Sequence, residues 1–459
     1  MNQPEPNPKR VSRLRWVWRG IGLLVVLGLV WFAVSSVQSG GAIRQLQAVQ
    51  SVRLTTEPDA LLGALPPSWQ SWLADSLGQD RLLIFQQITE VDCFQSLITD
   101  QQLALLNGFD SIKKLSLRKT NISDAGLAHL QGLNCLEDLD LTETQISDAG
   151  LKHLHDLTNL KKLSLSKTNV GDAGMHFLSG LQNLEFLELE KTHVGDAGLA
   201  CLTGLKKMRW LTLGGTPVTD KGMVTLESFK DLESLQLMNT KIGDEGVSHL
   251  QDLKKLKSLY LYDTQVGDAG LRILKEFTDL EGLFLNETLI TDAGLKHLAG
   301  LTKLIQLDLS YTQISDTGLS HLQGLTNLGY LYLTETRAGN AGLKFIKNLT
   351  RVQILFLSHT QVTDAGLVQL KNMEHLVSLY LAYTKVTDAG LRHLTGFSGM
   401  LDLDLSGNAV TDDGIMQLKK LSYLMWVGLE ETSVTPEGKA RLIEQLPNWQ
   451  GDILDSEEY

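Results

Sequence analysis

One period, 24 residues long, constrains this chain more than any other feature. Counting from Thr120 in steps of 24 lands on threonine at every step as far as Thr384, then on Asn408 and Thr432. Six residues after each of these fourteen positions stands a glycine, from Gly126 to Gly438. The cleanest copy is LEDLDLTETQISDAGLKHLHDLTN, Leu136 to Asn159. A fixed repeat of this length makes a solenoid whose units pack only on their neighbours. The 459 residues are therefore expected to form one elongated array rather than several globular domains.

Within the unit, Leu139 and Leu141 alternate with polar residues, as a strand buried on one face requires, and consecutive copies should pair in parallel. Ile146, Leu151, Leu154 and Leu157 are expected to reach the core from a turn and a short helix on the opposite, convex side. The threonine hydroxyl is expected to bond backbone groups of its own turn. Pro436 replaces the aspartate that twelve of the fourteen repeats carry, and proline favours the first helical position. Ser147, Thr291 and Thr435 are then N-caps, and Asp148 and Asp292 sit in the first turn against the helix dipole. The aspartate column lacks the several oxygens per ion that calcium needs. A histidine column (His129, His153, His249, His297, His321, His393) alternates with Phe177, Cys201, Ile273 and Phe345, which marks a half-buried packing position rather than a metal site. No catalytic motif and no cofactor motif is present, so no enzyme is expected.

The ends depart from the repeat. Residues 1–19 carry five Lys/Arg and one Glu and precede an uncharged apolar stretch, 20–37 (GIGLLVVLGLVWFAVSSV). Eighteen residues at 1.5 Å give about 27 Å, near the hydrocarbon thickness of a bilayer. We read it as a transmembrane anchor with a cytoplasmic N-terminus and with the repeats on the periplasmic or extracellular side. A cleaved signal peptide and a secreted product is the alternative, because Val37-Gln38-Ser39 offers small residues. Residues 38–90 are read as a juxtamembrane segment and N-terminal cap, with short helices over Ala42–Val52 and Ser68–Leu77. Val91 and Cys93 open a degraded repeat, 91–435 is the solenoid, and 436–459 is a cap helix with an acidic tail, in which Trp449 and Ile453 cover the last rung. The chain carries −12 overall and its first nineteen residues +4, leaving −16 on the rest, which argues against a nucleic-acid partner. Cys93, Cys135 and Cys201 are too few for a disulfide framework and are read as free thiols.

Number the rungs from Thr120. The solvent-facing strand positions lie six, four, two and one residues before each Thr. In rungs one to three these hold charges and small polar residues, such as Lys114, Arg118, Asp138 and Lys162, with no aromatic in twelve positions. In rungs seven to twelve, nine of twenty-four are aromatic: Tyr260, Tyr262, Phe284, Tyr311, Tyr330, Tyr332, Phe356, Tyr380 and Tyr383. Tyr260, Phe284, Tyr332, Phe356 and Tyr380 share the column four before the Thr, interrupted only by Asp308. A preference of aromatics for strands does not explain why the first rungs have none. We read these residues, with Trp210, as a partner-binding stripe whose flanking Asp263, Glu287, Asp308 and Glu335 suit a protein or peptide with apolar and basic groups. Cross-strand packing is the bland alternative.

The unit LxxLxLxxTxITDAGLxHLxxLxx resembles the leucine-rich repeat proteins abundant in planctomycete bacteria, over about residues 42–459. That resemblance implies an α/β solenoid: a leucine-rich repeat horseshoe with a parallel inner sheet, short convex helices and about 14 regular repeats plus caps. It implies an N-terminal membrane segment and an interaction role, and names no ligand. The repeat is also similar to that of F-box leucine-rich proteins, but the chain has no F-box-like helical domain. Ala338 and Asn340 replace the usual Ile and Asp, so rung ten is expected to be a softer or bent point.

The reading is a membrane-anchored recognition scaffold. A structural envelope spacer and a carbohydrate-binding module are the alternatives. Changing Tyr260, Tyr332, Phe356 and Tyr380 to Ser is expected to abolish partner capture and leave melting unchanged.

Overall fold

A computed structural model describes residues 41–58, 86–446 and 449. The expected transmembrane anchor (20–37), the Ser68–Leu77 helix and Ile453 lie outside these residues. Among those described, no helix is long and apolar enough to cross a membrane. The chain divides into two compact units, 1–160 and 161–459.

In the first unit, helix 41–47, shorter than the expected Ala42–Val52, buries Ile43 and Leu46. Strand β1 (Arg53–Pro58) runs antiparallel to β2 (Gln86–Asp92), with an irregularity between Thr55 and Thr56. From β2 onward pairing is parallel: Val91 sits opposite Leu115 in β3 (Lys114–Ser116), and Leu115 opposite Leu139 in β4 (Asp138–Asp140). The antiparallel β1 is absent from the sequence reading, because RLTTEP has neither the repeat nor a clean apolar alternation. Its physical use is plain: it covers the edge that β2 would otherwise leave unpaired. Val91 and Cys93 take the inward positions as expected and are buried. Burial, and then the neighbouring Asp92 charge, pushes the Cys93 thiol up to about 12.

The second unit contains twelve three-residue strands among its described residues, one per rung, joined in sequence order. Their register is continuous: Leu283 lies opposite Leu259 and Leu307, and Leu355 opposite Leu331 and Leu379. These leucines are fully buried, as are Leu309, Ile314, Leu319, Leu322 and Leu325 from the rest of one rung. Each buried Leu contributes about 1.5–3 kcal/mol, so repetition supplies most of the stability.

The polar columns fix the rung's shape. Every Thr of the register is buried or nearly so and donates its hydroxyl to the carbonyl three residues earlier, at 2.5 Å for Thr240 and 2.8 Å for Thr384. The residue just before it has left-handed backbone, with φ +51° at Asp263 and +56° at Glu287. Ser147, Thr291 and Thr435 cap their helices as expected.

The aspartate does more than face a dipole. Asp292 Oδ1 accepts the Ser315 N–H at 2.7 Å while its Oδ2 accepts the Ser315 hydroxyl, so each rung completes the N-cap of the next. Asp268 does the same for Thr291, and in the first unit Asp124 for Ser147. The glycine column exists for this carboxylate: a Cβ on Gly294 would collide with Asp268, and one on Gly318 with Asp292. Where the cap is itself glycine, the hydroxyl bond is lost; at Gly195 and Gly267 a second amide takes its place, Gly198 N–H to Asp172 at 2.9 Å and Gly270 N–H to Asp244 at 2.8 Å.

Rung ten departs from the repeat in sequence and keeps its bonding. Ala338 is fully buried, and Asn340 accepts the Thr363 N–H at 2.9 Å while donating its amide to the Thr363 hydroxyl, also at 2.9 Å. The amide keeps the ladder by reversing one hydrogen bond. Asn408 likewise substitutes for Thr: its side-chain amide donates to the Leu405 carbonyl three residues earlier at 3.1 Å and to the Leu381 carbonyl of the preceding rung at 2.7 Å. At the C-terminal end, helix Pro436–Ile443 buries Leu442, and Trp449 is half-buried.

Candidate functional site

Strand spacing decides what the aromatic column becomes. Rungs repeat every ~4.8 Å, close to the separation of stacked rings, so side chains in one column meet face to face. Tyr260 and Phe284 stack at 4.3 Å and 4°, Tyr332 and Phe356 at 4.7 Å and 15°, and Phe356 and Tyr380 at 4.1 Å and 0°. The ring planes therefore stand across the direction of repetition and present their edges to solvent. All five rings are half-buried. Burial raises the phenol pKa of Tyr260 and Tyr332 above the ordinary value, the Asp308 charge adding to the shift at Tyr332.

The other predicted residues fall elsewhere. Trp210 lies two rungs earlier, in the column six before the Thr, and stacks on Phe186 at 6.3 Å and 25°. Tyr262 and Tyr330 are half-buried and belong to neither stack. Tyr311 and Tyr383 occupy the left-handed corner, with φ +58° and +51°, and are 54 % and 42 % exposed. That conformation costs a bulky residue about 1 kcal/mol. Tyr383 packs on His359 at 4.6 Å and reaches Glu431, and a Cβ on Gly407 would collide with its ring. Phe186 and Trp426 were absent from the sequence reading; Trp426 approaches Tyr380 at 6.3 Å and 38°. The signal for both was the same strand register, in rungs four and fourteen.

Asp308 interrupts the column. It stands in register between Phe284 and Tyr332, accepts the Ser310 N–H at 2.9 Å and has no ion-pair partner among the described residues. Desolvation raises its pKa, opposed by the Ser310 bonds. Beside the stripe, Ile305, Gly329, Tyr330, Arg351 and His375 are among the residues that line a groove of about 590 Å³ at the strand-entry edge of rungs eight to twelve.

The convex histidine column is half-buried at all six positions, as a packing site requires. His153 Nδ1 lies 3.0 Å from Gln131 Nε2, and burial lowers its pKa. No group of three metal-ligating side chains occurs among the described residues. Cys93, Cys135 and Cys201 are free.

A family model for the leucine-rich repeat matches residues 132–154, 156–179, 230–250, 300–322 and 400–419. No curated protein matches the sequence. Among solved structures, an internalin of Listeria monocytogenes is similar over 75 % of this chain and 97 % of its own, at 24 % identity and a TM-score of 0.58. A leucine-rich repeat protein of Leptospira interrogans covers 75 % of this chain and 85 % of its own, at 20 % identity and 0.56. A TDR receptor covers 83 % and 71 %, at 17 % and 0.53. These likenesses are of fold: the chain carries leucine-rich repeats and folds as a leucine-rich repeat solenoid.

Proposed function

We propose that this leucine-rich repeat solenoid is a non-enzymatic recognition scaffold that binds a protein or peptide on the strand face of rungs seven to twelve. Residues 20–37 would anchor it in a membrane, with the repeats on the periplasmic or extracellular side. The observation that carries the reading is the in-register ring column, which concentrates apolar area on an otherwise polar surface. Large aromatic residues dominate binding energetics because they bring much contact area at small entropic cost. Tyr311 and Tyr383 add two exposed rings at the left-handed corner that every rung shares.

Mutual stacking favours one other reading. Rings that cover one another's faces also tie rungs together, as a spacer would use them. The same geometry weighs against a carbohydrate module, because a sugar stacks on an open ring face and this column offers mainly edges.

Capture of partners by the full chain, crosslinked in native cells from positions 262 and 330 beside the column, tests the reading. Changing Tyr260, Tyr332, Phe356 and Tyr380 to Ser should abolish capture. Unaltered recovery would favour the spacer. Melting is not expected to stay unchanged: each stack is worth about 0.5–1.5 kcal/mol beyond area burial, so binding must be compared at a temperature where the variant is folded.

A further inference from the structure

Two stacks end at rung nine. Phe284 uses one face on Tyr260 and Tyr332 uses one face on Phe356, so the remaining face of each is turned toward the strand that carries Asp308. Those two faces are two strand spacings apart, about 9.6 Å. A planar group stacked on both, at roughly 4.5 Å from each, fits that separation. A carboxylate lies at the base of the space.

On the strand face itself the charge around it has one sign. Across rungs seven to fourteen the thirty-two solvent-facing strand positions contain no Lys or Arg and eight carboxylates: Asp263, Glu287, Asp308, Glu335, Asp402, Asp404, Glu430 and Glu431. Rungs one to four contain six Lys or Arg in sixteen such positions, beginning with Lys114 and ending with Lys191. The Ser310 bond alone does not account for Asp308, because Asp140 and Asp404 make the same bond, to Thr142 and Ser406. Only Asp308 has a ring on both neighbouring rungs of its column: Asp140 lies between Ser116 and Ser164, and Asp404 between Tyr380 and Gly428. A desolvated carboxylate without a cation is unfavourable in the free protein, and its raised pKa reports that cost.

We propose that rung nine is an arginine-recognition site, in which a guanidinium of the partner stacks between Phe284 and Tyr332 and is paired by Asp308. Arginine fits better than lysine: its head is flat, stacks on aromatic faces and donates a fork of hydrogen bonds to one carboxylate, whereas an ammonium is a compact point charge. The guanidinium would continue the ring column through the rung where the protein's own rings stop. This rests on the reading of the strand face as a peptide-binding surface.

The test uses random twelve-residue peptides displayed on phage and selected on the full chain. Enriched peptides are resynthesised with each arginine intact, as lysine, and as citrulline, the neutral isostere. We expect one arginine whose change to citrulline weakens binding at least tenfold, with lysine between. Against Asp308→Asn that penalty should shrink below twofold, whereas Asp263→Asn should leave it in place. Asp308→Asn should melt no lower than the parent, which separates lost recognition from lost folding. Peptides that depend on Tyr332 and Phe356 but tolerate citrulline overturn the arginine site and leave the proposed function standing. So does a citrulline penalty that Asp308→Asn does not reduce. If no selected peptide is sensitive to those rings, both fall.

Discussion

Rungs one and two and rungs seven to twelve place side chains one rung apart in the same way and fill the positions with opposite chemistry. In the first unit the neighbours are ions: Lys114 reaches Glu90 at 2.6 Å and Lys119 reaches Glu143 at 3.9 Å. In the second they are rings at 4.1–4.7 Å. A 24-residue period makes a ladder of whatever letter recurs, so the ladder itself is no sign of function. Exposed ion pairs of this kind are worth little and are screened by salt. Stacked rings withdraw apolar area from water and leave edges for a partner. The difference lies in what each ladder still has to offer.

The sharpest way to break this contrast is to remove the rings. Tyr332→Ser with Phe356→Ser should lower partner affinity at least a hundredfold, about 2.7 kcal/mol, in a quantitative pull-down; retention of binding would make the aromatic ladder a packing feature like the ionic one. Next in size is a change that ought to ignore the contrast. Gly294→Ala and Gly150→Ala each drive a methyl into the preceding rung's aspartate, and each should cost about 1–3 kcal/mol in chemical denaturation, with no direct effect on the strand face. Unequal costs would show that the two regions differ in construction as well as surface.

A smaller effect comes from Asp308. Its folded-state pKa is raised, so the folded protein holds that proton more tightly than the unfolded chain does. Stability from this group is present below the unfolded value and is lost as pH rises through the folded one. At pH 7 Asp308→Asn should therefore melt at or above the parent, with the gap closing toward pH 4; a lower melting temperature at pH 7 would contradict the desolvation argument. The smallest is Lys114→Ala, expected to change neither melting nor capture, since its pair with Glu90 is exposed to solvent.

Much of the fold was legible in the sequence because a period repeated fourteen times is its own control. Leucine positions, N-caps and the buried threonine followed from the register, and Pro436 alone identified the cap. Beyond the parallel pairing of strands, what could not be read was how the polar side chains of one rung bond to the next. The aspartate's role needs the position of a residue 23 places later, and the glycine's need for that aspartate is visible only in space. The β1 strand escaped because a cap answers to an exposed edge, not to a repeat. At the candidate site the ring column was legible as a column. Its stacking was not, and neither was the pair of ring faces at Asp308, because alternation gives a side chain's direction and not the plane of its ring.

The aspartate bond runs one way. Asp100 completes the cap at Ser123, and the relation is repeated until Asp412 completes that at Thr435. A rung thus hands its successor a finished start and receives its own from its predecessor. Unequal crossover at the C-terminal side leaves every earlier rung intact, whereas loss of the N-terminal cap strips the first rung of a ligand it cannot supply itself. The array has a grammar read in one direction, and it can lengthen by copying without revising what was already written.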